Sequence, residues 1–400
     1  MSPSPSAQPG VVVTHALRTP IGRYMGGLST LTSVDLGVAV TRGILERSGL
    51  DPASVGEVYL GNARQAGAGP NPARQIAHRA GIPDEVCATT INMACGSGLK
   101  TLELAADAIR LGRSEVVLAG GTESMSGLPF FLPKMRAGYR LGHAKVVDAM
   151  YQDGFQCPLA DMLMGATAEK LAQERGISRD EQDRFALASQ EKAAAAWEAG
   201  RFTDELVPVE VPGRKGQVTL VERDEHLRPG TTLEKLGKLP PVFDAQAGTV
   251  SAGNSSGITD GAAVLLLMSE ARAEALGYEP LARLGSSAQA GVDPTVMGVG
   301  PVPAVRALGE QSGRGAGDYD LVELNEAFAA QVLACQRDLE LDDARLNVNG
   351  GSIALGHPIG CTGARIAVTL LHEMRRREAK AGLATLCISG GMGLAMEFLR

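Results

Sequence analysis

Short apolar runs and longer amphipathic stretches take turns along most of this chain. Val11-Val12-Val13 predicts a short buried strand. Residues 34–50 then repeat their apolar positions with helical period, and Ser33 is the expected N-cap. Residues 57–61 and 89–92 predict two more strands, 98–111 a helix, and 115–119 a strand running into Gly120-Gly121. The pattern breaks over residues 127–250, which are more polar and irregular. One helix is predicted there, over 179–199, behind the capping box Ser178-Arg179-Asp180-Glu181. The charged run from Arg214 to Arg228 predicts a solvated loop. Near Gly257 the alternation resumes, with strands at 262–269, 281–286, 321–324 and 384–388 and helices at 302–308, 326–339 and 363–377. Strand and helix in alternation predict an α/β protein built on a mainly parallel sheet covered by helices.

The two patterned regions echo each other. Val116-Val117-Leu118-Ala119-Gly120-Gly121 resembles Leu386-Cys387-Ile388-Ser389-Gly390-Gly391. Each follows a helix opened by small residues, Cys95-Gly96-Ser97-Gly98 in one case and Gly360-Cys361-Thr362-Gly363 in the other. This suggests an internal duplication with a long insertion in the first copy.

Composition narrows the chemistry. A formal charge of −7 and 4% aromatic residues give no electrostatic or stacking case for nucleic acid. No apolar run approaches the ~20 residues needed to span a bilayer, and residues 1–10, MSPSPSAQPG, read as a frayed tail rather than a signal peptide. A cytoplasmic location is expected. The six cysteines form no CxxC pair and have no histidine cluster, so neither a metal site nor disulfides are expected.

Four residues stand in settings that suit catalysis. Cys95 lies where a strand gives way to a helix, and unpaired N–H groups there stabilise a thiolate; a small buried core residue is the alternative. His357 sits in the glycine- and proline-rich turn Gly356-His357-Pro358-Ile359-Gly360, as a base, an oxyanion donor or a structural cap. Asn325 precedes a predicted helix, as an N-cap or as an amide orienting a water or carbonyl. Cys387 ends an apolar run before a glycine bend and suits proton transfer, since a thiol's reference pKa of about 8.5 is near neutrality. His372, on a charged helix face, is expected to be exposed.

Taken together these motifs resemble the thiolases, enzymes that make or split 3-ketoacyl-coenzyme A. The resemblance runs from Arg18-Thr19-Pro20-Ile21-Gly22 through the Cys95 segment, Gly120-Gly121-Thr122-Glu123-Ser124-Met125 and Ser251-Ala252-Gly253-Asn254-Ser255-Ser256-Gly257. It continues through Asn325-Glu326-Ala327-Phe328 to the His357 and Cys387 motifs. It implies a thiolase fold, two βαβαβαββ halves in five layers αβαβα with an inserted loop domain. The expected boundaries are 1–126 and 257–278 for the N-terminal half, 127–256 for the loop domain and 279–400 for the C-terminal half. It implies that Cys95 takes the acyl group, His357 accepts its proton, and Cys387 exchanges a proton with C2 of acetyl-CoA. One oxyanion hole would use His357 and a water on Asn325, the other the backbone N–H groups of Cys95 and Ser389. Coenzyme A would reach Cys95 past Ser256, Ala252, Met164 and Phe328, with Arg228 near its nucleotide. No metal or redox cofactor is implied, and residues 128–140 resemble a tetramerisation loop, so a homotetramer is expected, with a dimer as the alternative.

Two positions depart from the family pattern. Ser389 replaces the first glycine of Cys-x-Gly-Gly-Gly, which is harmless if its φ is negative. Leu163 stands where acetyl-specific members carry histidine. The expected activity is acetoacetyl-CoA formation and cleavage. The competing readings are a broader degradative 3-ketoacyl-CoA thiolase, a ketoacyl synthase of the same fold, which would need a second histidine in place of Cys387, and a non-catalytic acyl-CoA or lipid carrier.

Overall fold

The computed structural model describes residues 9–400, so the expected tail falls mostly outside the described residues. The main sheet runs in the order Leu321–Leu324, Ala381–Ile388, Met392–Leu399, Ala282–Gly291, Val11–Arg18, Thr259–Ser269, Val116–Ser124, Glu57–Gly61, Cys87–Ile91. Only two residue pairs, Val12↔Arg283 and Val13↔Ala282, join its two sides. Outward from that junction both sides repeat one pairing sequence: antiparallel, antiparallel, parallel, parallel. On the C-terminal side the last pairing shrinks to a single bridge, Val322↔Leu346. The sheet is therefore mixed rather than mainly parallel. Antiparallel neighbours need only a tight turn between them, and Ile388 to Met392 supplies one.

Strand residues alternate between two faces. Val117, Ala119, Leu265 and Leu267 face inward with Ala384, Leu386 and Ile388, against the helices Ser97–Arg110 and Ile359–Arg377. Their neighbours Val116, Leu118, Val264 and Leu266 face the opposite way, against the helices Ser33–Ser48 and Pro72–Ala80. On the other side Val322, Leu324 and Leu383 meet the helices Pro301–Ser312 and Ala329–Leu339. Two central helices between two half-sheets, with helices outside each, make five layers. The first helix starts at Ser33, so its cap lies one residue earlier than predicted: Thr32, not Ser33, caps it, in a capping box with Asp35.

Residues 126–258 add no strand to the main sheet. They form short two-stranded ribbons and helices, including Arg179–Glu198, whose Ser178/Glu181 capping box is present as predicted. The charged run is not a solvated loop throughout. Asp224 is buried and takes Nη1 of Arg18 at 2.7 Å, while Glu205 takes its Nε at 2.6 Å. Arg18 is fully buried, so this pair of carboxylates pins the inserted region to the first strand. Removing Arg18 would leave two buried carboxylates unmatched, which is strongly destabilising. His372 is also not exposed; its Nε2 lies 2.8 Å from the Ala16 carbonyl, in the seam between helix and sheet. Among the described residues no helix is long and apolar enough to cross a membrane.

Candidate active site

Cys95 lies on the turn between the Cys87–Ile91 strand and the Ser97–Arg110 helix. The turn is tight: Ala94 has φ +46°, a left-handed conformation rare outside glycine. Local hydrogen bonds hold it, from Ala94 N–H to Asn92 Oδ1 at 3.0 Å and from Ser97 Oγ to the Ala94 carbonyl at 2.6 Å. Gly98 lets the two central helices touch, because a Cβ there would stand 2.7 Å from the Ala364 nitrogen. The sulfur thus ends in a cavity of about 260 Å³ that also receives His357, Cys387 and Ser389 from the other half. Helix-terminal N–H groups do not win outright at this thiol. Burial raises its pKa above the usual value, while Arg64, the Ser389 N–H and its own N–H pull the other way.

His357 is placed by Gly356, whose φ of +107° no other residue adopts readily. Its backbone N–H donates to the Gly257 carbonyl at 3.2 Å. Its Nδ1 lies 2.6 Å from Thr362 Oγ1, and that hydroxyl donates its single proton to the Pro358 carbonyl at 3.0 Å. Nδ1 must then carry the ring proton, which leaves the Nε2 lone pair free. Burial, followed by the charges of Arg365 and Arg64, lowers this histidine to about 3, so the resting ring is a neutral base.

Asn325 is not a helix cap. The helix begins at Ala329, with Phe328 at the cap position. The Asn325 side chain instead accepts from Ser352 Oγ at 2.6 Å, and Ser352 accepts from Arg365 Nη2 at 3.0 Å. Arginine can only donate, so the serine keeps its own proton, and that proton goes to the amide oxygen. Nδ2 is left buried without a protein partner. Such a donor is available to a water or a substrate oxygen.

Cys387 is buried in the last turn of the Ala381–Ile388 strand, and burial holds its thiol well above the usual range, with Cys95 and Cys335 adding to it. Gly390 and Gly391 beyond it have φ of +91° and +84°, whereas Ser389 is not among the positive-φ residues. The serine therefore costs the bend nothing, and its N–H is directed at the Cys95 sulfur.

Of the other sequence-predicted residues, Ser256, Met164 and Phe328 line the same cavity. Ala252 and Arg228 do not. They line a second cavity of about 270 Å³ with His226, Lys235 and Gly253. The two are neighbours, because the His226 ring packs against Gly257, which lines the first. Sequence reasoning missed this half-buried His226, lowered to about 4 by burial and then by Arg228. It also missed Arg64, Tyr151, Phe155, Leu163 as a wall residue, Phe243, Met297 and Ile359 in the reaction cavity. Glu123 had a signal, a carboxylate inside an apolar strand. It accepts from Asn62 Nδ2, the N–H groups of Ala63 and Arg64, and the Gly360 N–H at 2.9 Å across the seam. Burial raises it to about 7 against the charge of Arg64 and the N–H groups of Gly360, Arg64 and Ala63. All six cysteines are free thiols, and among the described residues no metal-binding cluster of His, Cys, Asp and Glu is present.

The thiolase N-terminal domain family matches residues 11–271 and the thiolase C-terminal domain family residues 278–400. An acetyl-CoA acetyltransferase of Pseudomonas aeruginosa is 54% identical over 390 residues, covering 98% of this chain and 99% of that protein. The crystal structure of the Bacillus anthracis acetyl-CoA acetyltransferase superposes with a TM-score of 0.96 at 45% identity, covering 98% of this chain and 100% of that one. Human mitochondrial 3-ketoacyl-CoA thiolase in complex with CoA superposes with a TM-score of 0.93 at 42% identity, covering 98% of both chains.

Proposed function

The chain belongs to the thiolase family, and on that footing we propose that it is an acetyl-CoA acetyltransferase, interconverting acetoacetyl-CoA plus CoA with two acetyl-CoA. The observation that carries this reading is the meeting of two thiols, a neutral imidazole and a backbone N–H in one largely apolar cavity.

In the cleavage direction Cys95 gives its proton to His357 Nε2 and its thiolate attacks the C3 carbonyl. The N–H groups of Cys95 and Ser389 receive the oxyanion. The C2–C3 bond breaks, and its electron pair leaves as the enolate of acetyl-CoA. That oxygen accepts from protonated His357 and from a water on Asn325 Nδ2. The Cys387 thiol, which burial keeps protonated, delivers its proton to C2. The incoming CoA thiol restores that proton to Cys387 and attacks the acyl group, and Cys95 departs with the proton held on His357. Condensation is the same sequence reversed. The substrates are CoA thioesters and no further cofactor enters these steps. Ser256, Met164 and Phe328 would flank the pantetheine arm, with Ala252, Arg228 and Lys235 outside them for the nucleotide.

The exposed apolar side chains Phe130, Leu132 and Met135 favour a homotetramer assembled through the 128–140 loop; light scattering that reported a dimer would remove this part of the reading. The activity itself is tested by thiolysis of acetoacetyl-CoA against a medium-chain 3-ketoacyl-CoA. Faster turnover of the short substrate is expected. Faster turnover of the long one would move the protein to the degradative class, and no turnover of either would end the catalytic reading.

A further inference from the structure

The two donors assigned to the enolate oxygen, His357 and Asn325, come from different segments, yet one turn of one helix supports both. Thr362 and Arg365 stand three positions apart on the Ile359–Arg377 helix and so share a face. Thr362 Oγ1 lies 2.6 Å from His357 Nδ1 and sets the tautomer of the ring. Arg365 Nη2 donates to Ser352 Oγ at 3.0 Å, and that hydroxyl donates to Asn325 Oδ1 at 2.6 Å. Arg365 takes no part in the proton transfers, so its place behind the site has another reason.

Arg365 is fully buried, and a guanidinium is costly to hold away from water. Among the described residues its side chain makes one hydrogen bond, the one to Ser352. Its ion pair with Glu323, Nη1 to Oε2 at 3.6 Å, is longer than a hydrogen bond. Burial raises Glu323 to about 8, and the Arg365 charge opposes that rise. Glu326 fixes the backbone around the serine. It accepts from the Ile353 N–H at 3.0 Å and from Ser189 Oγ at 2.7 Å, and Gly351 lies flat against its carboxylate. The Ser352 hydroxyl is thus set in place by Glu326 and in direction by Arg365. Without the arginine the hydroxyl is free to rotate, and the amide loses the bond that keeps Nδ2 aligned.

We propose that Arg365 is a positioning residue for the carbon–carbon step alone: through Ser352 it holds Asn325 Nδ2 on the water that meets the enolate oxygen, while acyl transfer between Cys95 and CoA does not depend on it. This rests on the thiolase reading and gives its two half-reactions separate supports. Acyl transfer uses the N–H groups of Cys95 and Ser389, which the backbone fixes. The enolate oxygen relies on a side-chain amide, and an amide must be held still by its neighbours. A donor aligned beforehand needs no reorganisation when charge develops; a freely turning amide would have to be realigned in every turnover. After burial, the Arg365 charge also leads the causes that lower His357, so an informative variant keeps that charge and alters only the bond to Ser352.

The test separates the half-reactions on the full-length enzyme. Thiolysis of acetoacetyl-CoA reports the whole cycle. Deuterium uptake into C2 of acetyl-CoA in heavy water reports the enolate step, and acetyl transfer from acetyl-CoA to labelled CoA reports the acyl step. Arg365→Lys keeps the charge and loses the planar fork that reaches Ser352; Ser352→Ala removes the relay itself. Each should slow deuterium uptake about 10-fold, the size of one lost hydrogen bond, and acetyl transfer by no more than about 2-fold. The double variant should be no slower in deuterium uptake than the slower single one, because both changes cut one chain. Melting temperatures show which variants are folded. A misfolded Arg365→Lys does not leave the question open, since Ser352→Ala deletes a single hydroxyl and carries the same contrast. Wild-type deuterium uptake in folded Ser352→Ala would overturn the proposal. So would an equal loss in both half-reactions, or losses that multiply in the double variant. A wild-type enzyme inactive in all three assays would instead indict the thiolase reading.

Discussion

The two halves carry matching glycine pairs on matching segments and use them for different purposes. In the N-terminal half, Gly120 and Gly121 lie inside the Val116–Ser124 strand, which runs on through Thr122, Glu123 and Ser124. Their φ values are ordinary, and glycine is required by space: a Cβ on Gly121 would collide with the Gly360 carbonyl. In the C-terminal half, Gly390 and Gly391 have positive φ, and the strand reverses there into Met392–Leu399. A Cβ on Gly390 would find nothing nearer than 3.7 Å. The first pair permits close packing, Gly120 against the neighbouring strand and Gly121 against the other half; the second makes the bend that presents Cys387 and the Ser389 N–H. A sequence echo from duplication therefore reports shared ancestry of shape without reporting shared use.

The sharpest break in this comparison is at the two thiols. Cys95→Ala should lower turnover by about 10⁴-fold or more, with no acetyl-enzyme detectable by intact mass. Cys387→Ala should lower the full cycle by roughly 10³-fold, in the range of a lost proton-transfer group, yet still form acetyl-enzyme from acetyl-CoA. Normal turnover in that variant would remove Cys387 from the chemistry. The glycines come next. Gly121→Ala should destabilise by about 1–3 kcal/mol or more, as overpacking does, and Gly390→Ala by about 1–2 kcal/mol through backbone strain alone. Thermal melts of the two would invert the assignment if Gly390→Ala fell further. Ser352→Ala should lower kcat about tenfold by freeing the Asn325 amide, while the rate of Cys95 alkylation stays at the wild-type value.

A further effect concerns acid stability. His357 has a folded pKa of about 3 against an ordinary value of 6.5, so the unfolded chain binds its proton first as pH falls. Its contribution is complete above 6.5 and is lost between 6.5 and about 3. His357→Asn should flatten the acid limb of a denaturation profile in that window; an unchanged limb would mean that the ring is protonated in the native state.

Much of this was legible in the residues and their order. The strand-turn-helix setting of Cys95, the glycine- and proline-rich turn of His357 and the glycine bend after Cys387 are local, and local geometry is written in local sequence. What escaped reading depends on distant partners. The helix predicted from residue 326 starts at Ala329 because Asn325 is engaged by Ser352, and Glu326 by Ser189, Asn347 and the Ile353 N–H. Those tertiary bonds outcompete capping. Asp224 reads as one charge in a polar run, and its burial depends on Arg18, about two hundred positions away. Arg64 has no local signature at all, since its burial against Gly154 and its charge beside Glu123 depend on distant residues. The mixed sheet was missed because periodicity identifies strands but not their neighbours.

The seam between the halves has one more implication. Two sheet pairs, the packing of two central helices and the Glu123 bond to Gly360 N–H join what a duplication once separated. Neither half holds a full set of reactive groups: Cys95 comes from one, His357 and Cys387 from the other. Turnover is then a reporter of the joint itself. A chain nicked between residues 271 and 278 should work only while its fragments stay docked, so the dissociation of the fragments could be followed by nothing more than the loss of activity.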